Sequence, residues 1–302
     1  MARYHFFTLD VFTARPFGGN PLAVVLDAER LNGGQMQAIA AEFNLSETVF
    51  VLPPARAHGA KKLRIFTPRT ELPFAGHPTV GTAFLLAKLG LVLLDTADPV
   101  IVLEEGVGNV AVAVQHGPDG PIATRMSVPK MPEAGPEPPP ARELAAMLWL
   151  SLDDLLPGRL PRAYSCGVPF LFVPVRDREA IARARIRPDL WEKIVSGWWA
   201  SSVFVFTFDT EIPEAQVHAR MFAPAFGIVE DPATGGAASA LAGYLCDQEG
   251  RDGSFRWQIE QGFEMGRPSL IELEADKSGG RIAAVRVGGR SVLMSEGWIN
   301  VD

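Results

Sequence analysis

Cysteine is nearly absent: Cys166 and Cys246 are the only two in 302 residues. Their spacing matches no metal-ligand pattern. Cys246 reads as a small apolar packing residue, while Cys166, in the turn-like SCGVP, is left open. Histidine is equally sparse. His5, His58, His77, His116 and His218 are scattered, without a pair at i, i+4 or a neighbouring carboxylate in ligand spacing, which argues against a metal site. The formal net charge is -7 and lysine and arginine form no cluster, so a phosphate-binding face for nucleic acid is missing. Apolar runs are too short to cross a bilayer, and the first residues lack a charged-then-apolar leader pattern. The expectation is a soluble, cytoplasmic protein without membrane or nucleic-acid partners. A G-x-S-x-G elbow, a strand followed by G-x-G-x-x-G, and a P-loop are all absent, which removes the usual signs of hydrolases, dinucleotide enzymes and kinases. GVGN at Gly106 to Asn109 lacks the third glycine and the following helix.

What is present is an ordinary globular composition, 47% apolar and 21% charged, in a chain long enough for two domains of about 150 residues each. Two stretches resemble each other: RIFTPRTELPFAGHPTVGTAFLLAKLG from Arg64 and RMFAPAFGIVEDPATGGAASALAGYLC from Arg220. Each opens with Arg-x-Phe-x-Pro, crosses an irregular segment and enters a run of small and apolar residues, an order that predicts strand, loop and helix used twice. Proline suits the first turn of a helix, so Pro78 and Pro232 are taken as helix starts. Lys88 is the only ionic residue from Pro78 to Gly90, and Pro232 to Cys246 has none, so both helices should be buried on all sides. Their first-turn N–H groups attract carboxylates or phosphates. Gly76 before one helix, and Gly235 and Gly236 in the first turn of the other, allow close approach of a ligand to the backbone.

Strands are predicted at Tyr4 to Phe12, Leu22 to Leu26, Glu47 to Leu52, Lys62 to Phe66, Val100 to Leu103 and Gly108 to Val114, with a helix from Gln35 to Asn44. Pro129 to Pro140 holds six prolines and reads as a linker. Beyond it, helices are expected at Glu143 to Leu150 and Pro188 to Val195, and strands at Pro169 to Val175 and Ser202 to Phe208. Gly262 to Pro268 reads as a β-turn, and Gly288 with Gly289 as the turn of a hairpin between Ile282 to Val287 and Ser291 to Met294. The expected division is 1–128 and 129–290, with 291–302 returning to the first domain.

Three titratable residues stand where chemistry could occur. Glu47 opens an apolar strand; it is either a turn-ending glutamate in water or a partly buried carboxyl, which desolvation would bring towards neutral-pH acid/base work. His77 and Asp231 immediately precede the two prolines. Each has a plainer reading, as loop residue and helix cap respectively. Together with the starts at Thr79 and at Gly235 and Gly236, they supply a base, a proton donor and fixed positive potential for a developing oxyanion.

FTLDVFT from Phe7, FGGNPLAVV from Phe17, LSETVF from Leu45, GHPTVGTA from Gly76, EDPATGGAA from Glu230 and QGFEMGRPS from Gln261 resemble, in order, the PhzF-like (phenazine biosynthesis) family. The resemblance implies an α+β, diaminopimelate epimerase-like fold. This consists of two pseudo-symmetric domains, each a curled mixed sheet around a central apolar helix, with the active site in the cleft between them. It implies isomerisation of trans-2,3-dihydro-3-hydroxyanthranilate by proton transfer, with neither metal nor organic cofactor, in a homodimer. Glu47 matches the general acid/base, His77 the pocket histidine and Asp231 its acidic partner; Asn20, Gly76, Thr79, Thr234, Gly235 and Gly236 are the candidate substrate contacts. The family pattern often has serine where this chain has Gly236, so one substrate-binding hydroxyl is missing. The similar epimerases and racemases carry a cysteine at each helix mouth, and this chain carries none, which disfavours a two-thiol racemase. A non-catalytic binding protein and a thiol-independent racemase are the competing readings.

Overall fold

The structure is a computed structural model that describes residues 2–55, 60–94 and 99–302; His58 lies outside them. They divide into two compact units, Met1–Pro129 with Val287–Asp302, and Lys130–Arg286. Both are sheet-rich with few helices. No helix among the described residues is long and apolar enough to cross a membrane.

The first unit runs β1 (Ala2–Val11), β2 (Asn20–Val25), α1 (Gly33–Phe43), β3 (Glu47–Leu52), β4 (Lys61–Phe66), β5 (Glu71–Leu72), α2 (Gly76–Lys88), β6 (Val100–Glu105), β7 (Gly108–Gly117) and β8 (Gly120–Ser127). β1 and β2 are antiparallel, β2 and β3 parallel, β3 and β4 antiparallel, β4 and β6 parallel, and β6 to β8 form an antiparallel meander. α2 lies against β1, β2, β3, β6, β7 and β8. Every residue from Gly76 to Ala87 is buried and only Lys88 emerges, as its uncharged sequence predicts. The helix contains Gly81 and four β-branched or proline residues that favour it poorly. Burial of Val80, Phe84, Leu85 and Leu86, each worth about 1.5–3 kcal/mol, outweighs that deficit.

The second unit adds β9 (Glu133–Ala134), α3 (Ala141–Met147), β10 (Arg162–Ser165), β11 (Pro169–Pro174), α4 (Arg178–Arg183), α5 (Pro188–Ile194), β12 (Ser202–Thr207), β13 (Val217–Ala223), β14 (Ile228–Asp231), α6 (Gly235–Cys246), β15 (Gly253–Gln261) and β16 (Ser269–Ser278). α6 packs on β9, β10, β11 and β16 and is buried throughout except at half-buried Gly236. Both cysteines are buried, and burial pushes the Cys166 thiol up to about 12 and the Cys246 thiol up to about 11, so neither is a ready thiolate.

The resemblance between the two stretches is also physical. Arg64 on β4 grips Glu71 on β5 through two bonds of 2.7 Å, and its guanidinium sits 5.1 Å over the Phe66 ring. Arg220 on β13 grips Glu230 on β14 through bonds of 2.8 and 2.7 Å and sits 5.1 Å over Phe222. In both, the Arg-x-Phe motif stacks its own guanidinium and fastens the strand that leads to an apolar helix.

Several expectations are corrected. Pro78 is the third residue of α2, which starts at Gly76, so His77 lies inside the first turn. Pro232 does not start α6 at all. Its carbonyl accepts from Ser269 Oγ at 3.0 Å, and the Thr234 N–H is bonded to Gln261 Oε1 at 3.2 Å, so helical bonding begins only at Thr234 O, which accepts from the Ala238 N–H at 2.9 Å. α1 begins two residues early because Asn32 and Gln35 form a reciprocal capping box, and it ends at Asn44 in the left-handed region. α3 stops at Met147 because Trp149 takes φ 59°. The proline-rich linker is partly a strand: β9 pairs with β10, and the Gly135 N–H donates to Ala163 O at 2.8 Å.

The Gly288–Gly289 hairpin does not exist. β17 (Arg281–Val301) passes straight through both glycines and pairs along its later part with β1; the turn lies earlier, at Gly279 and Gly280, with φ 59° and 74°. Gly288 serves close approach instead, since a Cβ there would lie 2.3 Å from Thr124 O. The expected turn after β15 is present, with Gly262 O accepting from Met265 N at 3.2 Å and Arg267 N at 3.0 Å.

Candidate active site

In the first unit the candidates come from element starts that the register brings together. Asn20 is the first residue of β2 and Glu47 the first of β3, and the parallel pairing sets Leu22 opposite Glu47. His77 occupies the first turn of α2. Asn20 and His77 are buried, at 0% and 5% exposure, and the Glu47 side chain retains 13%. Of the two placements open to Glu47, the structure takes the partly buried one.

His77 lies between the other two. Asn20 Nδ2 donates to His77 Nδ1 at 3.4 Å, which leaves the proton on Nε2. Nε2 then faces Glu47 Oε2 at 3.4 Å, close enough for electrostatic coupling but without hydrogen-bond geometry among the described residues. Burial lowers the imidazole from 6.5 to about 3, so His77 is neutral at physiological pH.

That neutrality has a stability consequence. Between about 3 and 6.5 the unfolded chain binds a proton that the folded chain refuses, so stability is fully present above 6.5 and falls on acidification through this window, by at most about 1.4 kcal/mol per pH unit. Urea unfolding followed from neutral to acid pH is expected to show a shallower acid decline in His77→Gln than in the wild type.

The second unit gathers its candidates around a glutamine that the sequence did not single out. Asp231 closes β14 and is buried; its Oδ2 accepts from Thr234 Oγ1 at 2.5 Å. Gln261 Nε2 donates to Asp231 O at 2.7 Å and to Thr234 Oγ1 at 3.1 Å, so one side chain fixes the whole turn before α6. Thr234 is the residue before the helix, and Gly235 and Gly236 form its first turn. A Cβ on Gly236 would meet only the Phe170 ring, at 3.7 Å, so a serine would fit there.

The turn after β15 supports this corner from outside. Gly262 takes φ 77°, and a Cβ there would lie 2.6 Å from both Pro232 O and Arg267 O. Its far side is held by His218, whose Nδ1 meets Glu260 at 2.6 Å and whose Nε2 meets Glu264 at 2.9 Å. Burial works against charge on this imidazole, yet the two carboxylates lift it to about 9. Gly262→Ala is expected to cost about 1–2 kcal/mol for the left-handed backbone and roughly 1–3 kcal/mol more for the collision. Gly266→Ala, at φ 69° with open space around it, should cost only the conformational part, about 1–2 kcal/mol. Chemical denaturation of the two variants side by side measures the difference.

Among the described residues no three His, Cys, Asp or Glu side chains are arranged to hold a metal ion. The chemical means present are carboxylates, a neutral imidazole and helix starts. That set suits proton transfer beside an anionic group.

A family model described as phenazine biosynthesis-like protein, PhzC-PhzF, matches residues 9–297. An uncharacterised isomerase of Mesorhizobium japonicum is 41% identical, with 98% of this chain and 99% of that protein covered. The trans-2,3-dihydro-3-hydroxyanthranilate isomerase of Pseudomonas aeruginosa is 35% identical over 97% of this chain and 98% of its own length. A solved PhzF-family protein of Bacillus anthracis, 25% identical, superposes over 100% of both chains with a TM-score of 0.90. On this agreement of sequence model, curated isomerases and fold, the chain belongs to the phenazine biosynthesis-like protein family, PhzC-PhzF.

Proposed function

We propose that this isomerase moves a proton within a small carboxylate-bearing metabolite, without metal or organic cofactor, using Glu47 as the group that removes and returns it. The observation that carries the reading is the buried neutral imidazole of His77 beside the Glu47 carboxylate at the start of α2. A neutral imidazole polarises a substrate by hydrogen bonding without competing for its proton, which leaves acid/base work to Glu47. First-turn N–H groups at Gly76 and His77 favour an anionic substituent, and Thr79 follows on the next residues.

Asp231, fixed by Thr234 and Gln261, is read as the acidic partner, with Gly235 and Gly236 as backbone contacts. The two units are read as repeats of one plan, each a curled sheet around an apolar helix, on the shared Arg–Glu grip and the buried helices. Homodimeric assembly and a cytoplasmic location follow from the family likeness as part of the same proposal. Gly236 lacks the hydroxyl common in the family, so the substrate is a carboxylate whose recognition does not depend on that bond.

Incubation of cyclic and amino-acid-like carboxylates in deuterated water tests this. Solvent deuterium should enter one carbon position of at least one compound. A carboxylate that binds by calorimetry while none of its hydrogens exchange would leave a binding protein in place of an isomerase.

A further inference from the structure

One buried carboxyl in the first unit has no part in the reading above. Glu105, the last residue of β6, is buried, and its Oε1 lies 2.7 Å from the hydroxyl of Thr79 in the first turn of α2. The same hydroxyl lies 2.7 Å from Ala75 O, the carbonyl of the residue before the helix. A hydroxyl has one proton to give. Two oxygen contacts of this length therefore need a second proton. Ala75 O has none to offer, and the remaining source is Glu105 itself.

The surroundings agree with an unionised acid. Glu105 Oε2 is buried without a hydrogen-bond partner among the described residues, which would be costly for an ionised oxygen. Burial raises this carboxyl from 4.5 to about 8, and the Thr79 bond offsets the rise only in part. The titratable side chains on adjoining elements are His77 and Lys88 of α2, Lys61, Lys62 and Arg64 of β4, Glu71 of β5, His116 of β7, Arg125 of β8 and Glu104 of its own strand. None of them figures among the causes of the shift. Arg64 is engaged with Glu71, and Glu104 Oε2 accepts from the Ala55 N–H at 2.9 Å.

We infer that Glu105 is a positioning residue held as a neutral carboxylic acid, donating to Thr79 Oγ1 while Thr79 donates to Ala75 O, so that the first turn of α2 is locked without a negative charge beside it. A carboxylate at this place would oppose the positive potential that an anionic substrate needs. A neutral acid fixes the same geometry and leaves the potential intact. This rests on reading α2's first turn as the seat of the substrate's carboxylate.

The test uses the intact chain labelled with carbon-13 at glutamate carboxyls and nitrogen-15 at amides. Comparison with Glu105→Gln assigns the Glu105 signal, which is expected to titrate near 8, with the Thr79 amide shifting at the same midpoint and staying still in the glutamine variant. Titration near 4.5, the ordinary carboxylate value, or a Thr79 amide indifferent to Glu105, overturns the inference. In the exchange assay the wild-type KM should rise about tenfold above this midpoint with kcat unchanged. Glu105→Gln, which still donates to Thr79, should remove that rise, and Glu105→Leu should raise KM at every pH. If no carboxylate exchanges at all, the functional proposal fails, while the carbon-13 titration still decides the state of Glu105.

Discussion

Glu47→Gln is expected to lower solvent deuterium incorporation by about 10²–10⁴-fold, or roughly 3–5 kcal/mol of barrier, with folding preserved. Glutamine has the shape of glutamate and can take its place at the start of β3, but it cannot accept and return a proton. Substitution by a neighbour is not open to the site. His77 lies 3.4 Å away, and with its imidazole lowered to about 3 it is a poor base near neutral pH. Loss should therefore appear in kcat, with binding of the carboxylate largely kept. Retention of more than about a tenth of wild-type exchange, a loss of less than 1.4 kcal/mol, would remove Glu47 from the role.

Arg220→Met should be the most destabilising of the changes considered, at about 3–5 kcal/mol, because it breaks a buried ion pair and leaves its partners behind. The arginine is only 6% exposed. Its Nη1 donates to Ile181 O at 3.0 Å and Ala184 O at 2.9 Å at the end of α4, while Nε and Nη2 hold Glu230. Removal orphans a half-buried carboxylate and the last carbonyls of a helix together. The equivalent Arg64→Met removes a pair whose side chains are 28% and 43% exposed, so solvent already screens it and the cost should stay within about 1 kcal/mol. Thermal and urea unfolding of the two variants gives the comparison. Adding Glu230→Gln to Arg220→Met should recover part of the loss, since it removes the uncompensated charge. Equal costs at the two arginines would show that burial does not govern the shared motif.

Local pattern carried the sequence reading furthest where one segment decides its own environment. The uncharged runs after His77 and Asp231 have no polar face, so they had to be buried helices, and α2 and α6 are. Alternating or apolar runs such as Glu47 to Leu52 and Ser202 to Phe208 became strands within a residue of their expected ends. Punctuation by glycine and proline was less dependable, because these residues answer to neighbours as well as to turns. Pro232 looks like a helix start, yet Ser269 and Gln261 take the hydrogen bonds around it. Gly288 looks like a hairpin, yet it is small because Thr124 lies against it.

The amino-acid sequence by itself determined the chemical inventory: few cysteines and histidines, two buried helices with glycine at their starts, and three titratable residues at the starts of such elements. Tertiary structure alone decided how those residues are paired and charged. The parallel register of β2 and β3 sets Asn20, His77 and Glu47 together, and the depth of burial makes His77 neutral. Gln261 and Glu105 gained their places the same way, far along the chain from Asp231 and Thr79. Protonation follows from desolvation and from which groups lie within a few ångströms, and both are properties of the folded chain that no local pattern of residues encodes.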